Sequence, residues 1–275
     1  MAGPPEITNM ALFCDFENIA LGVRDAKYAQ FDMQKVLERL LLKGSIIVKK
    51  AYCDWERYKE FKASMHEAAF ELIEIPHVRQ SGKNSADIRM VVDALDLCYT
   101  KAHVDTFVIL SGDSDFSPLV SKLRENNKVV IGVGVKNSTS DLLTANCDEF
   151  LFYDDLVREQ EQKKKRAAKH ATGTTTGGAP HRTAKQREPD KRQEALDMII
   201  ETLEALSAER GAEDKIWGSM VKQALKRRQP GFNESYYGFR SFSELLEEAE
   251  KRQLLALEHD EKSGGYILRM LAHEG

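Results

Sequence analysis

Between residues 8 and 156 the chain alternates between short apolar runs and stretches with helical spacing. This alternation is the strongest constraint on its fold. Strands separated by helices cannot pair as tight hairpins; they form βαβ units and a mostly parallel sheet. The apolar runs at Met10–Cys14, Ile46–Val48, Glu71–Ile75, Thr106–Leu110, Lys128–Val133 and Phe150–Phe152 predict strands. The spacing predicts helices over 31–43, 55–70, 86–99, 116–124 and 141–146. The expected fold is α/β, a doubly wound parallel sheet with helices on both faces. In such a sheet, ligands bind beyond the carboxyl ends of the strands, at the point where strand order reverses.

Acidic residues stand at that edge. Asp15 closes the first apolar strand, in Phe13-Cys14-Asp15-Phe16-Glu17-Asn18. Asp113 and Asp115 follow the fourth, in Leu110-Ser111-Gly112-Asp113-Ser114-Asp115-Phe116, and Asp87 opens the helix after Lys83-Asn84-Ser85-Ala86. The first and fourth strands can lie side by side at the reversal, and their carboxylates would then converge. Converging carboxylates repel one another and call for a cation. Hard oxygen donors with few histidines favour Mg²⁺ or Mn²⁺, which activates water and stabilises phosphoryl charge. Gly112 would let the backbone turn behind the site, while Asn18, Ser111 and Lys83 could orient ligands, water or phosphate. Simpler roles stay open. Asp115 or Ser114 suits a helix cap, and Asp87 suits a first-turn acid favoured by the helix dipole. Neither role accounts for Asp15.

Residues 157–190 differ in character. From Arg158 to Arg192, eleven Lys and Arg stand against four acids, on a chain of net charge −4. Ala171-Thr-Gly-Thr-Thr-Thr-Gly-Gly-Ala-Pro180 is small, polar and aperiodic. The segment reads as a basic flexible linker, and its charge suits a phosphate backbone. Residues 191–270 read as a second unit. Helical periodicity runs over 194–206, 216–225 and 241–254, and Ser263-Gly264-Gly265 separates two apolar runs as a hairpin turn would. Three helices and a hairpin are the parts of a winged helix.

Composition excludes several classes. With 42% hydrophobic and 31% charged residues, the chain is not disordered throughout. No apolar run approaches the roughly 18 residues of a membrane span, so no membrane association is expected. The N-terminus lacks the basic start and apolar core of a secretory signal. The four cysteines show no zinc spacing and suit a reducing, cytoplasmic compartment.

The three acidic motifs, with Lys83-Asn-Ser-Ala-Asp87-Ile-Arg-Met-Val-Val-Asp93-Ala as the second, resemble the NYN domain, a LabA-like branch of the PIN-like nucleases. Ser138-Thr-Ser-Asp-Leu142-Leu143 and Cys147-Asp-Glu-Phe150 resemble its closing helix and strand. The resemblance implies a PIN-like fold and a Mg²⁺/Mn²⁺-dependent ribonuclease. Asp15, Asp87, Asp113 and Asp115 would be the catalytic, metal-holding acids, with Asn18, Lys83 and Ser111 in support. This chain carries Asn84-Ser85-Ala86 where many relatives have Gly before the helix, while Asp87 keeps its register.

The C-terminal unit resembles the OST-HTH, or LOTUS, domain, through Lys215-Ile-Trp217-Gly-Ser-Met220-Val-Lys-Gln-Ala-Leu225, Pro230-Gly-Phe232-Asn-Glu-Ser-Tyr236-Tyr-Gly238-Phe239 and Phe242-Ser-Glu-Leu-Leu246. That resemblance implies RNA binding, single-stranded or structured, with a family preference for G-rich RNA, or protein contacts in some branches. The helix at 241–250 is acidic and would be repelled by a duplex major groove. Lys222, Lys226, Arg227, Arg228, Tyr236 and Tyr237 offer a charge-plus-stacking surface; the tyrosines suit core packing equally.

The combined expectation is a ribonuclease with a C-terminal RNA-binding domain. One competitor is a catalytically inactive RNA-binding adaptor. Another is a phosphatase of the haloacid-dehalogenase kind, but that chemistry wants Asp and then Thr or Val where Glu17 and Ile19 stand. A homo-oligomer or protein partner, the RNA target and the mode of cutting stay open.

Overall fold

The computed structural model describes residues 8–28, 31–75, 85–161, 184–210, 214–260 and 265–271, with only the backbone course given for 184–190. They belong to two compact units.

The first unit is a six-stranded parallel sheet, ordered β3-β2-β1-β4-β5-β6. Its elements are β1 (Asn9–Asp15), α1 (Phe16–Asp25), α2 (Met33–Lys43), β2 (Ser45–Cys53), α3 (Lys59–Glu67), β3 (Glu71–Glu74), α4 (Ser85–Thr100), β4 (Thr106–Leu110), α5 (Ser117–Glu125), β5 (Val129–Gly134), α6 (Asp141–Asn146), β6 (Glu149–Phe152) and α7 (153–161). Strand order reverses between β1 and β4, which pair directly from Met10↔Thr106 to Cys14↔Leu110. The side-by-side placement expected from the sequence is therefore present.

The pleat explains the continuous apolar runs. Successive β1 residues point to opposite faces. Met10, Leu12 and Cys14 enter one core with Phe16, Ile19, Val36 and Leu40. Ala11 and Phe13 enter the other with Met90, Ala94, Phe107 and Leu123. Both faces are covered, so no polar alternation appears.

Three local expectations are corrected. α1 has no counterpart in the sequence reading, yet Phe16, Ile19 and Val23 are buried at helical spacing. The helix predicted over 55–70 starts only at Lys59, because Trp55 is buried against Phe16 in the preceding turn. The helix predicted over 216–225 begins at Gly218; Ile216 and Trp217 pair with Leu268 and Ile267 as a short strand.

The second unit contains α8 (Ala184–Arg210), β7 (Ile216–Trp217), α9 (Gly218–Arg228), α10 (Phe242–Lys251), β8 (Leu255–Asp260) and β9 (Gly265–Met270). Three helices pack on an antiparallel sheet ordered β7-β9-β8. Leu196, Ile199 and Leu203 of α8, Val221 and Leu225 of α9, and Leu245 and Leu246 of α10 share its core. The proposed turn at 263–265 falls largely outside the described residues, as does 162–183 of the basic segment.

Candidate active site

The β1/β4 pairing sets Asp15 beside Ser111 at the carboxyl edge of the sheet. Ser111 Oγ donates to Asp15 Oδ2 at 3.1 Å, and the Asn18 amide donates to Asp15 Oδ1 at 3.3 Å. Asp15 thus closes β1 and caps α1. Asn18 Oδ1 accepts from the Gly112 amide at 2.9 Å, tying α1 to the loop after β4. The Asp113 amide donates to Ser111 Oγ at 3.1 Å, and Asp113 Oδ1 accepts from the Asp115 amide at 2.9 Å. Asp113 therefore caps the short 3-10 turn Ser114–Phe116, whereas α5, for which Ser114 or Asp115 is the anticipated cap, opens after Phe116 with no side-chain cap.

Gly112 is required by crowding. A Cβ there would stand 2.3 Å from the Ser138 carbonyl oxygen. The loop before α6 closes over this point, with the Ser140 amide donating to Gly112 O at 2.9 Å.

Asp87, half-buried in the first turn of α4, lies within electrostatic reach of the other acids. Burial chiefly, and then the Asp87 charge, pushes the Asp15 carboxyl up to about 7; Asp113 adds a smaller push, against the hydrogen bonds from Asn18 and Ser111. Burial also raises Asp87, to about 6, aided by Asp113, Asp115 and Glu17. Asp115 is exposed. Lys83 lies outside the described residues. Asp93 is committed elsewhere, accepting from Tyr52 at 2.9 Å and Arg89 at 3.1 Å.

Among the described residues, no group of three or more His, Cys, Asp or Glu side chains is drawn together tightly enough to hold a metal ion. The donor chemistry still suits a hard cation. The donors are carboxylates, burial first and mutual repulsion second make ionising Asp15 and Asp87 costly without a cation, and each Asp15 oxygen retains acceptor capacity beyond its one hydrogen bond.

In the C-terminal unit, Tyr236 and Tyr237 meet edge to face at 5.0 Å. Tyr236 is 62% exposed, whereas Tyr237 stacks on Phe232 at 5.4 Å. Tyr237 thus takes the packing role, while Tyr236 leaves its ring exposed to solvent. Lys222 pairs with Glu234 at 2.8 Å, and Arg228 with Glu201 at 2.9 Å. Lys226 is exposed, and Arg227 shares the last turn of α9.

The NYN domain family profile matches residues 9–154, more than half of the chain. The chain belongs to the NYN domain family. An OST-HTH/LOTUS domain profile follows at residues 190–265. An uncharacterized protein of Methanocaldococcus jannaschii, MJ0482, is 27% identical over 143 residues. The match covers 51% of this chain and 56% of that protein, so the chain spans little more than half of its relative's length. A crystal structure of VPA0982 from Vibrio parahaemolyticus, a protein of unknown function, aligns with TM-score 0.49 and 25% identity, covering 56% of this chain and 98% of that one.

Sequence reasoning missed neighbours in both units. In the NYN unit, Ser138 and Ser140 come against Gly112 from 26 or more residues away in sequence. In the LOTUS unit, Lys191 Nζ sits 4.1 Å from the Tyr236 ring centroid, and Arg192 lies 4.8 Å over Phe239 while donating to Gly238 O at 2.6 Å. Both cations fall in the basic run, but nothing in their sequence context points to these rings.

Proposed function

We propose that the chain is a metal-dependent ribonuclease whose NYN unit hydrolyses RNA phosphodiester bonds and whose LOTUS unit binds RNA. The observation that carries this reading is the approach of Asp15, Asp87 and Asp113, from three separate elements, to the β1/β4 reversal, where the first two carboxyls are raised to about 7 and 6. Asp15, Asp87, Asp113 and Asp115 would hold Mg²⁺ or Mn²⁺. When bound, such an ion supplies an activated water and neutralises charge on the phosphoryl oxygens.

The chain's own part is preorganisation. Ser111 Oγ holds one oxygen of Asp15 while accepting the Asp113 amide, so one hydroxyl sets two of the acids. Asn18 fixes the Gly112 backbone between them. Such prepaid positioning is where most of the rate acceleration in phosphoryl transfer arises. The exposed Tyr236 with Lys191 supports a stacking and phosphate-contact role for the LOTUS unit. No described helix is long and apolar enough to cross a membrane. The four free cysteines, three of them buried, suit a cytoplasmic setting, which is part of this proposal.

One observation favours a second reading, an inactive RNA-binding adaptor: the acids form no ready-made ligand set among the described residues. Cleavage of end-labelled single-stranded RNA in Mn²⁺, Mg²⁺ or EDTA separates the two, with Asp113→Asn as the control for contaminating nuclease. Metal-dependent cutting lost in the variant supports the nuclease. RNA binding without cutting by either protein supports the adaptor.

A further inference from the structure

On the sheet face that carries α1 and α3, a cavity of about 370 Å³ opens between the two helices. Small-molecule sites span roughly 300–1,000 Å³. Aromatic rings wall it. Phe31, Tyr58 and Phe61 line it and pack on Phe16 at 6.1, 5.7 and 5.1 Å, so the wall is braced from behind. Arg24 and Arg57 line it as well, with side chains 73% and 51% exposed; Arg24 lies 3.6 Å from the exposed Asp25, a surface pair that a phosphate can displace. Glu60 is an acid on the same wall.

This lining selects its occupant. An inorganic anion has no use for an aromatic wall, and an apolar ligand has none for two guanidiniums. A nucleotide uses both: the base stacks on a ring and the phosphate takes an arginine. One lining residue is linked to the acidic edge through an ion pair. Arg57 pairs with Glu17 at 3.2 Å, and the Glu17 charge bears on Asp87. Along α1, Arg24 is nine residues beyond Asp15, roughly 14 Å at 1.5 Å per residue, a span of a few nucleotides.

We infer that this cavity is a subsite for one unpaired nucleotide of the RNA strand, a few positions from the bond that is cut. The base stacks against Tyr58 or Phe61, and its phosphate lies against Arg24 and Arg57. The inference rests on the ribonuclease reading and extends it, because a paired base cannot enter and the subsite would select single strands.

The test uses the full chain and end-labelled RNA oligonucleotides, each with one abasic residue moved stepwise along the strand. At one fixed distance from the cut, the abasic residue lowers the cleavage rate about tenfold, the scale of one lost base–aromatic stack. That penalty disappears in Tyr58→Leu or in Phe61→Leu, according to which ring carries the stack, and persistence in both overturns the subsite. Arg24→Ala, which removes an exposed guanidinium and leaves the packed rings intact, raises KM about tenfold, the scale of one charged hydrogen bond. Equal tolerance at every position while cutting persists overturns the subsite and leaves the nuclease standing. If no RNA is cut, the nuclease reading fails, and photo-crosslinking with 5-iodouridine RNA decides the cavity. Adducts on Tyr58 or Phe61 uphold it; adducts confined to other peptides overturn it. Uridine monophosphate that binds as tightly as a pentanucleotide would assign the cavity to a free nucleotide and overturn the strand assignment.

Discussion

Asp15 serves the fold and belongs to the proposed site, and the two demands conflict. Its carboxylate caps α1, yet burial and the neighbouring acids raise its pKa from 3.8 to about 7. The folded state therefore holds the proton more tightly than the unfolded chain does. Well below pH 4 both states are protonated and the group contributes nothing. As pH rises from about 4 to 7 the unfolded chain ionises first, and the metal-free protein loses stability, by a few kcal/mol once above pH 7. An asparagine side chain in its place would keep an oxygen for the cap without the charge. In EDTA at pH 8, Asp15→Asn is expected to melt above the wild type, with the gap narrowing towards pH 5. A variant that melts lower at pH 8 would refute this account. Gly112 is constrained by space alone. With the Ser138 carbonyl oxygen 2.3 Å from any added Cβ, Gly112→Ala is expected to cost about 1–3 kcal/mol, the range for overpacking, measurable as a lowered melting temperature.

At the scale of elements, helix ends are set by side chains that the sequence shows openly. Ser241 Oγ accepts from the Glu244 amide at 3.1 Å, and Glu244 Oε2 accepts from the Arg240 amide at 2.6 Å, a reciprocal cap for α10. Ser241→Ala is expected to destabilise the C-terminal unit by about 1 kcal/mol, seen as a lower urea midpoint at unchanged slope. Elements whose pattern matched their surroundings were legible in this way. β1 and β4 are covered on both faces and read as unbroken apolar runs. β2 was read only over 46–48, because Lys49 and Lys50 interrupt the run. Lys49 reaches the Ala68 carbonyl at 2.6 Å and Lys50 lies 3.5 Å from both Glu71 and Asp93, so the strand continues to Cys53. α1 escaped because its cap is the site acid itself, which reads as the end of a strand rather than the start of a helix. The position of Asp15 at the β1/β4 edge was legible because a carboxylate closing a buried strand stands out, although the structure also gives it the ordinary role of capping α1. Lys191 beside Tyr236 was not, since 45 residues separate them and only the packing of α8 brings them together.

For the whole molecule, if both units contact RNA as proposed, joining them in one chain raises affinity with no need for direct cooperation between them. Once one unit holds a strand, the other meets it at a raised effective concentration, and affinity rises with no new contact. The gain exists only for RNA long enough to engage both units. It acts on binding rather than on the chemical step, because the acids that would hold the metal all come from the NYN unit. Tyr236 is the suitable probe, being exposed and outside the LOTUS core, with Lys191 at its face. On a long single strand, Tyr236→Ala in the full chain is expected to raise KM on the order of tenfold, the scale of one lost base stack, with kcat unchanged. On a tetranucleotide, too short to reach a second unit, the same variant should match the wild type in both constants. A kcat loss on both substrates would mean that the C-terminal unit acts on the chemistry itself, and the tether account would fall.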